Sequence, residues 1–144
     1  MSAVLLAAPQ SAPDHSPAPE ETAFAALRPL LNRVRFIAQT CRAEARLDLA
    51  VACAAIHACP EKSLDAVATS MVRVLSEAVG GHVSFRAPGA ADMSFDEEWL
   101  LRVVDRAIAK DTMSVEFLLR RRVPARNHHA FRSIVRAVST ILRP

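Results

Sequence analysis

The sequence has few of the residues that β-sheets, disulfide scaffolds and membrane spans require. Among 144 residues there are three glycines and no tyrosine, which disfavours sheets and tight turns. The three cysteines are an odd number without disulfide-framework spacing, so we expect a reducing, cytoplasmic location. The short apolar run near Met1 has no basic residue before it, unlike a secretory signal. No segment reaches the ~20 apolar residues of a membrane span, and we expect no membrane partner.

Catalytic motifs are also missing from the sequence. It contains no Gly-x-Ser-x-Gly, no glycine-rich phosphate loop and no His-Glu-x-x-His. The acidic run 96–98 has the spacing of a helix cap, and it does not place carboxylates opposite one another. The adjacent His128 and His129 point in different directions on a helix. We therefore expect a protein that is not an enzyme and carries no cofactor.

What the chain does contain is a surplus of helix-forming residues. Alanine is the commonest residue, and leucine, arginine and glutamate also favour helices. The composition predicts an all-α fold of about five helices. We divide the chain into a disordered Pro/Ala-rich tail (1–22) and a single helical domain (23–144). That domain comprises an N-terminal antiparallel helical hairpin (23–81) and a compact, basic three-helix unit (94–144).

The hairpin is predicted from two apolar stripes. The first helix begins near Thr22 or at Pro29, and its stripe runs from Leu30 to Ile56 before Cys59–Pro60 ends the pattern. The second helix covers about 61–79 and ends at two glycines, 80–81. The first stripe is longer than one partner helix covers, so we expect a homodimer.

The C-terminal unit follows a segment, 82–87, that alternates apolar and polar residues and is interpreted as a loop, with a short strand as the alternative. Ser94 and Glu97 have capping-box spacing at the start of the third helix. Asp111–Thr112 supplies the cap of a fourth helix over about 113–122. Pro124 opens the fifth, which runs to Leu142.

The two parts of the chain differ in charge. Residues 100–144 contain ten Lys/Arg against three Asp/Glu, whereas residues 1–99 contain eight against twelve. A basic, helical half is typical of a surface for an anionic partner, although a solvated surface has the same composition. The candidate binding residues are Arg120, Arg121, Arg122, Arg126, His129, Arg132 and Arg136. The order of the helices has the outline of a helix-turn-helix unit, but the turn has no glycine.

Cys53, His57 and Cys59 are the remaining candidates for chemistry. Cys53 and His57 are one helical turn apart, with Cys59 at the helix end, while Cys41 lies too far along the helix to complete a zinc site. The Cys59–Pro60 dipeptide is similar to a haem-regulatory motif, and a phosphotransfer role for His57 lacks the usual polar neighbours. Small buried cysteines on an alanine-rich face explain the same pattern, so we assign no metal site.

These observations predict a small cytoplasmic regulatory or adaptor protein that binds a protein partner through its helical surfaces. A nucleic-acid-binding transcriptional regulator that uses the basic C-terminal helices is the alternative. A haem or metal sensor that uses Cys53, His57 and Cys59 is a further alternative. The sequence does not identify the partner.

Overall fold

The computed structural model of the chain describes residues 19–40 and 64–143. Within these ranges it contains α-helices and no strand, which confirms the predicted all-α class. The helices are α1 (Pro19–Ala26), α2 (Arg28–Thr40), α3 (Leu64–Val79), α4 (Phe95–Ile108), α5 (Thr112–Arg122) and α6 (His128–Leu142), and a 3-10 turn covers Ala125–Asn127. No helix in the described ranges is long and apolar enough to cross a bilayer.

The N-terminal helices differ from the prediction. Residues 19–22, which we placed in the tail, form the start of α1. Leu27 then separates α1 from α2, and Pro29 lies in the first turn of α2, where its missing N–H breaks no helical bond. Two helices, which begin three residues before Thr22 and one residue before Pro29, therefore take the place of the single predicted helix. The rest of the tail (1–18) and the first-helix stripe beyond Thr40 lie outside the described residues.

The end of α3 is a glycine cap, as the sequence predicts. Gly80 has φ +71°, a left-handed conformation that side chains disfavour. Its N–H donates to the carbonyl of Glu77 at 3.2 Å, and the N–H of Gly81 donates to the carbonyl of Ser76 at 3.1 Å. This is the Schellman pattern, which satisfies carbonyl groups at the helix end.

The C-terminal elements largely follow the sequence signals. Residues 82–87 form a loop without strand structure. Ser94 and Glu97 make both halves of the predicted capping box. Asp111 caps α5 by accepting the N–H of Ser114 at 3.1 Å. The last helix begins at His128, four residues after Pro124, because the intervening residues form the 3-10 turn.

One hydrophobic core extends across the described helices, from Leu27 in the α1–α2 link to Val138 in α6. Helix α2 packs on α3, α3 packs on α6, α6 packs on α4, and α4 packs on α5. The three C-terminal helices pack together through α4, as predicted, and α6 also packs on α3, so they share one core with the N-terminal helices. The stripe residues Leu30 and Val34 are only 2% and 1% exposed, so this part of the first stripe is covered within one chain.

A buried ion pair joins α2 to α4 inside this core. The side chains of Arg35 and Glu97 are both fully buried. Arg35 Nε donates to Glu97 Oε1 at 2.8 Å, and Arg35 Nη2 donates to Glu97 Oε2 at 2.9 Å. Such a two-pronged pair holds both groups in a fixed geometry.

The same two side chains also hold the loop between α3 and α4. Glu97 accepts the backbone N–H of Arg86 at 2.7 Å and that of Ser94 at 2.9 Å. Arg35 donates to the carbonyl of Ala90 at 2.9 Å and to that of Asp92 at 2.7 Å. The loop has little regular structure of its own, and this pair satisfies four of its backbone groups.

The pair also sets the protonation of Glu97. Burial alone raises the pKa of this carboxyl group. The hydrogen bonds from Arg35, Ser94 and Arg86 and the charge of Arg35 lower the pKa by more than burial raises it. The net result is a pKa below the usual value of 4.5. Glu97 is therefore ionised in the folded protein at neutral pH.

We expect Glu97→Ala to lower the free energy of unfolding by about 3–5 kcal/mol, because it leaves the Arg35 guanidinium buried without its counter-charge. Urea denaturation followed by circular dichroism measures this loss. Glu98→Gln is the matched control: Glu98 is the next residue and is partly exposed, and its change should stay within about 0.5 kcal/mol. Equal effects of the two substitutions would contradict the assigned role of Glu97.

The lowered pKa of Glu97 also predicts a pH dependence of stability. The folded state binds this proton less readily than the unfolded chain, so the stabilisation is complete above the usual pKa of 4.5 and is lost as pH falls through the lower, folded-state pKa. Urea midpoints measured from pH 7 down to pH 3 should fall in the wild type. Glu97→Gln should show a smaller fall, and Glu98→Gln should follow the wild type.

Candidate functional site

The structure divides the predicted basic residues into two groups. The exposed side chains are available to a partner: Arg120, Arg121, Arg126, His129 and Arg136. The other two candidates, Arg122 and Arg132, are half-buried and pair with carboxylates of the same chain. The seven residues therefore do not act as one set of free cations.

Arg122 illustrates this internal use. Its guanidinium lies 2.5 Å from the Asp96 carboxylate, and it also lies over the rings of Phe95, at 5.3 Å, and Trp99, at 5.6 Å. Arg132 pairs in a similar way with Glu116. A guanidinium stacked on a ring keeps N–H edges directed outward, so Arg122 can still contribute to a surface.

Two residues near the start of α6 have structural contacts. The Asn127 amide donates to the carbonyls of Glu77 and Ala78, both at 3.2 Å, and so caps the end of α3. His128 Nε2 lies 2.6 Å from the carbonyl of Val123. Asn127 lies in the sequence between the basic residues Arg126 and His129, and its two bonds to α3 occupy its amide N–H groups.

A concave surface among the described residues is a groove between α4 and α5, with a volume of about 390 Å³. Each helix contributes one strip of residues that are spaced about one turn apart. The lining residues are Phe95, Glu98, Trp99 and Arg102 from α4, and Phe117, Leu118, Arg121 and Arg122 from α5. We call this surface the α4–α5 groove.

Trp99 forms the floor of the α4–α5 groove and is fixed from two sides. Its indole Nε1 donates to the carbonyl of Leu118 at 3.1 Å. Its ring stacks on Phe131 of the core, with centroids 5.9 Å apart and the planes 13° from parallel. The indole is 6% exposed, so the floor is rigid and almost entirely apolar.

The rims of the groove expose large apolar side chains. Phe95 is 71% exposed and Phe117 is 58% exposed; Met113, which lies one turn before Phe117 on α5 and outside the groove lining, is 82% exposed. The Arg121 guanidinium lies 5.5 Å above the Phe117 ring. Clustered exposed apolar residues with polar neighbours are typical of binding sites, because exposing them to water is unfavourable.

The charge of the α4–α5 groove is positive. Arg102, Arg121 and Arg122 line it together with one carboxylate, Glu98. Arg102 approaches Glu98 at 3.4 Å on the exposed surface. The α4–α5 groove is therefore hydrophobic with cations along it, which suits a partner that has an apolar side chain flanked by negative charge.

Arg121 and Arg122 of this groove are among the predicted binding residues, whereas Arg102 and the aromatic residues are not. Val115 and Leu119 of α5 face inward and are buried. Met113 and Phe117 lie one turn apart and, at about 100° per residue, on the side of α5 opposite those inward positions, so the helical spacing contains a signal for an exposed apolar strip.

The cysteine–histidine candidates remain a prediction. Cys41, Cys53, His57 and Cys59 all fall in 41–63, outside the described residues. Within 19–40 and 64–143, no group of three or more His, Cys, Asp or Glu side chains is placed to hold a metal ion.

Comparisons with known proteins do not place the chain in a family. No family model matches it, and neither the curated proteins nor the solved structures yielded a match. Any functional argument therefore rests on the chemistry of the described surfaces.

Proposed function

We propose that this protein is a small, non-enzymatic regulatory or adaptor protein that binds an acidic, amphipathic helix of another protein in the α4–α5 groove. The observation that supports this most directly is the pair of exposed phenylalanines on the groove rims, Phe95 and Phe117. Each has an arginine guanidinium within 5.5 Å of its ring. Apolar anchors combined with fixed cations are common at the centres of protein interfaces.

The shape of the surface favours a helical partner. Met113 and Phe117 are spaced by one turn, so they present a ridge on α5, and Phe95 lies on the α4 side. A helix that inserts apolar side chains at i and i+4 spacing reaches the Trp99 floor between these two rims. Acidic residues beside those anchors then face Arg102 and Arg121, which gives charge complementarity.

Two further parts of the proposal concern the setting of the protein. We propose a cytoplasmic location, because the number of cysteines is odd and their spacing does not suit a disulfide framework. We also propose a homodimer, although the described part of the first stripe, including Leu30 and Val34, is already buried within the chain. The surface left for a dimer contact on α2 includes Phe36, which is 53% exposed.

Nucleic acid is the alternative partner, and one observation favours it. Exposed phenylalanine rings beside arginines are also found where bases of a single strand stack. Against this reading, Asn127 is bonded to α3, and Arg122 and Arg132 are paired with Asp96 and Glu116. A protein partner covers more of the apolar ridge of α5 than a nucleic acid does, so we favour a protein partner.

The single tryptophan provides a direct test of groove binding. The chain has one Trp and no Tyr, so its intrinsic fluorescence reports the groove floor alone. Titration with a Trp-free helical peptide that carries Leu at i and i+4 positions flanked by Glu should change this fluorescence to saturation. Phe117→Ala and Arg121→Glu should each weaken binding by about tenfold.

Matched variants and probes make this test specific. Arg120→Glu reverses the neighbouring charge outside the groove, so it should leave the affinity within about twofold. A peptide with Lys in place of Glu should not bind. Equal effects of the groove and control variants would contradict the proposal. Salt-sensitive binding of a thymidine oligonucleotide, without peptide binding, would favour the nucleic-acid alternative.

The dimer proposal has its own measurement. Sedimentation velocity at tens of micromolar protein should show a dimer, and Phe36→Arg should shift the population toward monomer because it places a charge in the contact. A monomer at all these concentrations would exclude the homodimer without affecting the groove proposal.

A further inference from the structure

A second concave surface lies where the end of α4, the start of α5 and the middle of α6 meet. It is a small cleft of about 80 Å³ and shares no lining residue with the α4–α5 groove. Its walls are formed by Ala107, Lys110, Asp111, Thr112, Val115, Arg132, Val135, Arg136 and Ser139. We call it the α4–α6 cleft.

The α4–α6 cleft combines an apolar floor with cations at its edge. Val115 and Val135 are 7% and 1% exposed and form the apolar part with Ala107. Lys110 and Arg136 are exposed, and neither makes an ion pair within the described part of the chain. Such a surface matches a small molecule that carries a negative group on an apolar stem.

The other charged side chains around the cleft already have partners, so Lys110 and Arg136 give the cleft an excess of positive charge. Arg132 pairs with Glu116. Asp111 is held as the cap of α5: its carboxylate accepts the hydroxyl of Ser114 at 2.6 Å as well as the backbone N–H of the same residue. These two hydrogen bonds and the charge of Arg106 lower the pKa of Asp111. The N-terminus of α5 adds a partial positive charge beside the cleft.

The backbone at Lys110 gives an independent indication that the α4–α6 cleft is a binding site. Its φ is +60°, and within the described ranges no other non-glycine residue has a positive φ. The N–H of Lys110 donates to the carbonyl of Ala107, and that of Asp111 donates to the carbonyl of Arg106. The same bonding pattern ends α3, where the left-handed position is filled by Gly80.

A lysine is therefore present where this chain elsewhere uses glycine. A left-handed backbone is unfavourable for a residue with a Cβ, so lysine is a poor choice for the cap alone. What lysine adds over glycine at this position is a cation at the edge of the cleft. Strain that is retained at a concave, charged surface is a recognised indication of a binding role.

We propose that the α4–α6 cleft binds a small monocarboxylate with a short aliphatic stem. The carboxylate lies between Lys110 and Arg136, and the stem covers Val115 and Val135. A single negative charge suits the cleft better than a doubly charged phosphate does, because the Asp111 carboxylate lies in the same wall.

Sodium butyrate is the probe for this site, at an ionic strength held constant with sodium chloride. Its titration into ¹⁵N-labelled protein should shift the backbone amide resonances of residues 110–115 to saturation. Butyramide, which has the same stem without the charge, should leave them in place. Inorganic phosphate should bind more weakly because it has no apolar stem.

Substitution of Lys110 separates binding from folding. Lys110→Gly removes the cation and relieves the left-handed strain, so it should weaken butyrate binding by about tenfold while its melting temperature is no lower than that of the wild type. Arg136→Gln should weaken binding to a similar extent. Arg120→Gln, an exposed arginine outside the cleft, should leave it unchanged.

Three results would overturn the proposal: no saturable shift with butyrate, equal shifts with butyramide, or tighter binding of inorganic phosphate. Unchanged butyrate affinity in both Lys110→Gly and Arg136→Gln would also overturn it. The melting temperature of Lys110→Gly shows whether the variant is folded in every case. The peptide test of the α4–α5 groove gives a separate answer, because no residue lines both surfaces.

Discussion

The arrangement of the described helices depends on one buried charge pair, Arg35 with Glu97. Two ionised groups lose their hydration in the core, and this loss is acceptable only when every polar atom finds a partner. Here the loop between α3 and α4 supplies those partners: its carbonyls accept from Arg35, and its N–H groups donate to Glu97. The pair therefore fixes the position of α2 against α4 and the path of the loop in a single network. Because Glu97 is also the third residue of α4, the start of that helix is fixed as well.

The part of the fold that could be predicted from the sequence is the part set by local interactions. The capping box at Ser94 and the glycine cap at Gly80 depend on residues within five positions of each other, and both are present. The second role of Glu97 could not be found in this way, because its partner lies 62 positions away. On α2, Arg35 resembles any other helical arginine, and only the tertiary packing shows that it is buried.

The same distinction applies to the surfaces. Composition identified a basic C-terminal half, but it could not show which arginines are bound within the chain. Arg122 and Arg132 are held by acidic residues of other helices, whereas Arg121 remains exposed above Phe117. The α4–α5 groove is defined by the approach of two helices, so its aromatic rims have no signature in either helix alone. The strained backbone at Lys110 is similarly a property of the structure, since lysine is an ordinary residue in a sequence.

The stacking of Trp99 on Phe131 links the groove floor to the centre of the molecule. Phe131 is fully buried on α6, which also contacts α3. In the proposed function, selection for folding and selection for partner recognition therefore both act on the Phe131 ring. A related protein with a smaller residue in place of this phenylalanine must either pack its indole differently or have a different binding surface. Divergence in partner choice can thus begin from a residue that no partner ever touches.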